Sequence, residues 1–124
     1  MKHARVLVVE DEAVAASVIS DQMRRLGHEI VDCATTGAAA IASYEKNRPD
    51  MVTMDVNLPD FSGMEAARRI LRAHPKAIIL LVTCEPREKR LIDALSAGVK
   101  GYVEKPVQFQ QLRDIVESLL LHYL

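Results

Sequence analysis

Apolar residues along the chain gather into short runs that alternate with segments of helical spacing. Four runs are almost continuous: Val6-Leu7-Val8-Val9, Ile30-Val31-Asp32-Cys33, Met51-Val52-Thr53-Met54 and Ile78-Ile79-Leu80-Leu81-Val82. Their Val and Ile content and near-continuous hydrophobicity predict strands, several of them buried on both faces as in a parallel sheet. Gly101-Tyr102-Val103 is a weaker fifth. Between the runs, Ala15, Ile19, Met23 and Leu26 form one helical stripe that Gly27 ends; Ala40, Ile41 and Tyr44 form a second, and Met64, Ala67, Ile70 and Leu71 a third. Leu91, Ala94 and Leu95 before Gly98 predict a fourth helix, and Phe109, Leu112, Ile115, Val116 and Leu119 a fifth. Strict β/α alternation with short connections implies right-handed crossovers and a parallel sheet covered on both faces, a three-layer α/β fold. Ligands in such folds bind beyond the carboxyl ends of the strands, near the point where strand order reverses.

Composition narrows this picture by exclusion. At roughly 150 residues per domain, 124 residues predict one domain spanning 1–124. With 49% hydrophobic and 27% charged residues, the chain is neither disordered nor a disulfide scaffold. Sixteen Lys and Arg against 17 Asp and Glu give a formal charge of -1, so no global basic field exists to hold nucleic acid. Cys33 and Cys84 lack zinc or redox spacing, and a reduced, cytoplasmic protein is expected. The longest apolar stretch, residues 77–84, is far shorter than the roughly 20 residues of a spanning helix, and Met1-Lys2-His3 has no signal-peptide character.

Chemistry is therefore sought at the strand ends. Glu10 and Asp11 follow the first run, Asp55 the third, Thr83 the fourth and Lys105 the fifth. Carboxylates gathered in one crevice repel each other and favour proton uptake unless a cation lies close. Lys105 is one candidate cation and a bound metal the other. Hard oxygen ligands without His or Cys favour Mg²⁺, which keeps several waters beside one or two carboxylates; Asp11 and Asp55 fit such a half-built site. Metal, ammonium and hydroxyl together complement a phosphoryl group in transfer, and Asp55 then becomes the candidate nucleophile, forming an aspartyl phosphate.

These residues sit in motifs that resemble a known family, the receiver domains of two-component response regulators, of the CheY-like superfamily. The resemblance rests on VLVVEDE at 6–12, MDVNLPDFSGME at 54–65, Val82-Thr83, and ALSAGVKGYVEKP at 94–106, in that order over essentially the whole chain. It implies a flavodoxin-like (βα)5 fold with a five-stranded parallel sheet of order 2-1-3-4-5. It further implies that Asp55 accepts phosphate from the phosphohistidine of a sensor histidine kinase or a histidine phosphotransfer protein. Asp11, Asp55 and the Asn57 backbone carbonyl would hold Mg²⁺, with Glu10 on a metal-bound water. Lys105 would contact a phosphoryl oxygen, and the Lys105-Pro106 peptide would be cis. Thr83 and Tyr102 would form the conformational switch. Asn57 and Glu85 occupy positions that tune phosphoryl lifetime, and this pair resembles fast-cycling chemotaxis receivers. Cys84 departs from the small residue usual after the Thr and would narrow access to Asp55.

The same resemblance places phosphodonor docking near Val14 and Ala16 on the first helix. Output to an effector or homodimer would use the fourth helix, fifth strand and fifth helix. The domain would signal and catalyse only its own phosphorylation and dephosphorylation. Starting at Met1 and stopping after the fifth helix, the chain reads as an N-terminal or stand-alone unit.

Each feature also has a plainer reading. Glu10-Asp11-Glu12 suits a helix N-terminus, Asp55 a turn before Pro59, Asp60 and Gly63, and Arg87, Lys89 and Arg90 a solvated face. Thr83 fits a strand, Tyr102 a packing aromatic and Lys105-Pro106 loop punctuation. His3, His28, His74 and His122 lack ligand spacing and read as surface residues. The C-terminal Leu119-Leu120-Leu121 and Tyr123-Leu124 read as core, a dimer contact or the join to another domain. Two other functional classes share parts of the pattern. A flavodoxin-like FMN-binding module needs a phosphate loop after the first strand, where Glu10-Asp11-Glu12 would repel the ligand. An aspartyl-phosphate phosphohydrolase of the haloacid-dehalogenase type would carry DxD, and Asp55-Val56-Asn57 lacks the second Asp.

Overall fold

The computed structural model describes residues 3–84 and 89–124. Strands β1 (Arg5–Val9), β2 (Glu29–Ala34), β3 (Met51–Asp55), β4 (Ile79–Thr83) and β5 (Gly101–Glu104) alternate with helices α1 (Ala13–Arg25), α2 (Gly37–Asn47), α3 (Gly63–Ala73), α4 (Lys89–Ser96) and α5 (Phe109–Tyr123). The strands form one sheet of order β2-β1-β3-β4-β5, and every neighbouring pair is parallel. This is the three-layer flavodoxin-like fold that the alternation and the resemblance lead one to expect.

The continuous apolar runs explain the sheet's centre. Every residue of β3 and β4 is buried, because both lie inside the sheet with helices on each face. Alternate side chains feed two cores. Leu7, Val52, Met54 and Leu81 pack with α2, α3 and α4; Val6, Val8, Leu80 and Val82 pack with α1 and α5. Truncating a fully buried Leu such as Leu80 or Leu81 to Ala would cost about 2–5 kcal/mol, a large part of a small domain's stability. The edge strand β2 is more open, with Asp32 and Cys33 exposed.

Helix ends follow the local sequence. His28 N–H donates to Met23 O and Gly27 N–H to Arg24 O, while Gly27 holds φ at 93°, a left-handed stop that favours glycine. Gly98, at φ 116°, closes α4 in the same way through Val99 N–H to Ala94 O and Gly98 N–H to Leu95 O. The helical stripes are largely buried, with Ala15, Ile41, Phe109 and Ile115 half-buried and Leu95 exposed on α4. No helix among the described residues is long and apolar enough to cross a membrane.

Some expectations need correction. Asp55 and Thr83 are the last residues of β3 and β4 rather than the first beyond them, since each still pairs in the ladder, opposite Val82 and Glu104 respectively. Ile78 precedes β4 but remains buried. His28 is not a surface residue: it is only 4% exposed, because the turn at Gly27 folds it back against Ala4, whose N–H donates to His28 Nδ1 at 3.1 Å. His74 is half-buried on Glu45, with Nε2 2.5 Å from Oε1. At the C-terminal end, Leu119 and Leu120 are core, whereas Leu121, Tyr123 and Leu124 are exposed; Tyr123 carries the Lys100 ammonium 4.9 Å from its ring centroid.

Two predictions follow from buried polar groups. The Thr53 hydroxyl is buried in β3 without a hydrogen-bond partner. Thr53→Val should stabilise the fold by about 1 kcal/mol in urea unfolding, since a desolvated hydroxyl without a partner is unfavourable. Burial, and secondarily His3, holds the His28 imidazole below its usual value of 6.5, with Glu117 opposing. Its folded pKa is thus depressed, so the stabilisation is present above about pH 6.5 and is lost as pH falls. His28→Asn, whose amide oxygen can accept from Ala4 N–H, should flatten the slope of stability against pH below that value; an unchanged slope would assign it to other groups.

Candidate functional site

Three strand ends converge at the carboxyl edge of the sheet. Glu10 N–H donates to Ala34 O at 2.9 Å, extending the β1–β2 pairing one residue past β1. Strand alternation then turns Glu10 inward, 2% exposed, and leaves Asp11 exposed. Asp55, ending β3, is 3% exposed. Its Oδ1 accepts from Asn57 N–H at 3.1 Å, and its Oδ2 from Lys105 Nζ at 3.2 Å. The same ammonium lies 2.8 Å from Glu10 Oε1, and Glu10 Oε2 accepts from Glu12 N–H at 3.3 Å.

Carboxylate oxygens of Glu10, Asp11 and Asp55 all lie within 4.8 Å of one another. Burial and the neighbouring Asp55 carboxylate push the Glu10 carboxyl up to about 7, against the Lys105 ammonium and Glu12 N–H, which pull it down. Burial alone would lower the Lys105 pKa, but the close Glu10 carboxylate and the charge of Asp55 outweigh it and hold the ammonium above its ordinary value. The Glu10 Oε1 contact is an ion pair without directed hydrogen-bond geometry, so this buried oxygen remains under-satisfied. An all-oxygen donor set of this charge, one member exposed and one under-satisfied, suits a hard divalent cation.

The acidic triplet does lead into the N-terminus of α1. Glu12 occupies the N-cap position, yet its side chain makes no capping hydrogen bond. The turn reading of Asp55 is likewise incomplete, since Asp55 belongs to the ladder and the turn lies beyond it. There Gly63 N–H donates to Val56 O at 2.8 Å, and a Cβ on Gly63 would fall 1.8 Å from Asp55 O, so only glycine permits α3 to start this close to β3.

Thr83 is buried at the end of β4, and its carbonyl accepts Lys105 N–H at 2.8 Å. The Lys105-Pro106 peptide is cis. Tyr102 stands apart from this cluster on edge strand β5, 41% exposed. Asn57 is exposed beside Asp55. Glu85 lies outside the described residues, as do the side chains of the Arg87, Lys89 and Arg90 cluster. Exposed Cys84 helps to line a cavity of about 370 Å³ next to the site, together with Val14, Val18, Lys105, Pro106 and Val107. Of the residues singled out in the sequence, Glu10, Asp11, Asp55 and Lys105 thus come together directly.

One participant escapes sequence reasoning. Asp60, legible only as a turn residue, accepts from Gly37 N–H at 2.8 Å and Ala38 N–H at 2.9 Å and so joins the loop after Asp55 to α2. Thr36 is the N-cap of α2, and nothing local to it says which loop lies opposite that helix end.

Residues 6–117 match the family model of the response regulator receiver domain. Chemotaxis protein CheY of Thermotoga maritima is 35% identical over 115 residues, 93% of this chain and 93% of that protein. The CheY of Bacillus subtilis is 32% identical over 94% of this chain and 97% of its own length. Among solved structures, a LuxR-family two-component response regulator from Aurantimonas sp. superposes with a TM-score of 0.90 at 30% identity, covering 98% of this chain and 87% of that one. Fold, strand-end carboxylates and sequence likeness agree, and the chain belongs to the response regulator receiver domain family.

Proposed function

We propose that this chain is a phosphoacceptor of a two-component pathway, taking a phosphoryl group onto Asp55 from a phosphohistidine of a sensor histidine kinase or a histidine phosphotransfer protein. The observation that carries this reading is the Lys105 ammonium 3.2 Å from Asp55 Oδ2, with Glu10 and Asp11 oxygens within 4.8 Å of the same carboxylate. An Asp55 oxygen attacks phosphorus, the O–P bond forms as the N–P bond breaks, and the donor imidazole leaves with the electron pair and takes up a proton. Lys105 offsets charge on the transferring oxygens, and the Thr83 hydroxyl is the candidate hydrogen-bond donor. The loop with Asn57 N–H on Asp55 Oδ1 keeps the carboxylate oriented for attack.

Asp11, Asp55 and the Asn57 carbonyl would hold Mg²⁺, with Glu10 acting through a metal-bound water. The cation supplies charge neutralisation for the transferring phosphoryl oxygens. Thr83 and Tyr102 carry the resulting change to the face made by α4, β5 and α5, where an effector or a second copy docks. The Tyr102 ring stands partly exposed on β5, outside the two cores, where an inward-moving switch residue would start. Asn57 and Glu85 set a short phosphoryl lifetime. The domain works in the cytoplasm as a signalling unit over residues 1–124 and turns over no substrate beyond its own phosphoryl group.

Intact mass after incubation with acetyl phosphate tests the chemistry. Wild type should gain one phosphoryl group only with Mg²⁺, and Asp55→Asn none; Lys105→Met should slow the gain by roughly 100-fold. Beryllofluoride binding in the same samples separates rapid hydrolysis from failure to react. An adduct retained in Asp55→Asn, or absence of both adduct and beryllofluoride binding, would overturn the reading.

The Glu10 environment gives a pH test. Its folded pKa is raised from 4.5 to about 7, so the Glu10 contribution to the stability of the cation-free protein is fully present below pH 4.5 and is lost as pH rises through 7. Mg²⁺ affinity should run the opposite way, rising by up to about tenfold per pH unit below 7 as the competing proton leaves. Glu10→Gln should flatten both slopes, read by urea unfolding and calorimetric Mg²⁺ titration between pH 5 and about 8. Parallel slopes in wild type and variant would remove Glu10 from the cation site.

A further inference from the structure

We propose that Asp60 is a positioning residue for the phosphoacceptor: by clasping the loop between β3 and α3 to the first turn of α2, it holds Asn57 against Asp55. The inference rests on the role of Asp55 given above. A helix leaves its first N–H groups without intrahelical partners, and α2 distributes them with unusual completeness. Gly37 N–H donates to Asp60 Oδ1 at 2.8 Å, Ala38 N–H to Asp60 Oδ2 at 2.9 Å, and Ala39 N–H to Thr36 Oγ1 at 3.0 Å. Thr36 caps the helix from its own chain end. Asp60 caps it from 23 residues away and brings a full negative charge to the positive end of the helix dipole.

The loop is closed on the helix by shape as well. Phe61 N–H also donates to Asp60 Oδ1, and the Phe61 ring occupies the space beside Gly37, where a Cβ would approach it to 2.4 Å. The Arg69 guanidinium lies 4.6 Å from the Phe61 ring centroid. Although partial desolvation opposes it, donation from Ala38, Gly37 and Phe61 N–H keeps the Asp60 carboxyl below the ordinary carboxylate value, so the clasp is ionised near neutrality.

The loop's two feet stand at the end of β3, on Asp55 and on Val56 just past it. Asn57 N–H donates to Asp55 Oδ1 at 3.1 Å, and Gly63 N–H to Val56 O at 2.8 Å. Its tip reaches α2, whose N-cap follows shortly after Ala34, the residue that accepts Glu10 N–H. Asp60 therefore closes a ring that runs from Glu10 through the end of β2, the start of α2 and the loop back to Asp55. Without the clasp, Asn57 N–H is aimed at Asp55 by the loop feet alone, and one of the two contacts that orient the carboxylate is loosened.

A comparison of two caps on the same helix tests this. Asp60→Ala and Thr36→Ala each remove an acceptor from the first turn of α2, but only the former frees the loop. Three quantities would be measured on each full-length variant: the urea midpoint, amide hydrogen exchange at Asn57 and Gly63, and the Mg²⁺ concentration for half-maximal phosphorylation by acetyl phosphate. Asp60→Ala should speed loop exchange by about tenfold and raise the Mg²⁺ requirement several-fold. Thr36→Ala, matched or corrected for its midpoint, should leave both within about twofold of wild type. Asp60→Asn, which keeps one acceptor oxygen and loses the charge, should fall between. The clasp is overturned if loop exchange in Asp60→Ala equals wild type, or if Thr36→Ala shifts exchange and Mg²⁺ requirement equally, since Asp60 would then be only a helix cap. Should the wild type take no phosphoryl group at all, the reading of Asp55 falls, and the exchange comparison alone decides whether Asp60 fastens the loop.

Discussion

Two carboxylates, Glu10 and Asp55, are almost fully buried side by side at the end of the sheet, and the Lys105 ammonium lies between them. Burying one uncompensated charge is expensive, and burying two of like sign more so, hence a cation must come from elsewhere in the fold. The strand order decides where it can come from. Glu10 and Asp55 follow or end the adjacent strands β1 and β3, whereas Lys105 follows β5, so its side chain must pass the end of β4. Thr83, short and buried, ends that strand and accepts Lys105 N–H on its carbonyl. A large side chain at this point would stand between the lysine and its partners. The ion-pair geometry therefore ties four strands to one register.

That register is rigid because the two apolar cores enforce it. A one-residue slip of β3 would exchange the side chains feeding the two faces, moving Met54 and Val52 to the face of α1 and α5. It would also turn Asp55 away from Glu10. The hydrophobic layers thus hold the acidic cluster against its own repulsion. Burial and the neighbouring Asp55 carboxylate still push the Glu10 carboxyl up to about 7 against the pull of Lys105. A site in this condition favours a further cation, and a smaller carboxylate burden would weaken that preference.

Much of this was legible in the sequence, for physical reasons that differ by element. β3 and β4 announce themselves because strands buried on both faces must be apolar throughout. β5 is faint because an edge strand of four residues alternates, with Tyr102 and Glu104 outside. Asp11, Asp55 and Lys105 could be found by reading the residue that ends or follows each run, since a parallel sheet sends all those ends to one side. Strand order is not encoded so locally and came from the resemblance. Burial of His28 depends on a helix-ending turn that returns the chain to Ala4, and the Asp60 contact depends on which helix lies beside a loop 23 residues away. Both are products of tertiary packing, and a lone His after Gly or a lone Asp after Pro carries no sign of them.

On the proposed reading, the energetics of signalling also follow from the geometry. Moving a two-state equilibrium from 1:99 to 99:1 takes about 5.5 kcal/mol of differential interaction. One charge-assisted hydrogen bond supplies about 1.5–3 kcal/mol, so a phosphoryl group touching Lys105 alone would leave both conformations populated. Lys105, moreover, is already engaged by Glu10 and Asp55, and a new contact that merely replaces the Asp55 contact gains little. The remaining free energy must come from groups whose partners change on phosphorylation, of which the Thr83 hydroxyl at the end of β4 is one candidate and the bound cation another. Tyr102, exposed on β5, has no ionisable partner among the described residues and would respond through packing. The receiver's switch is thus a sum of modest contacts, and weakening any one of them should grade the output rather than abolish it.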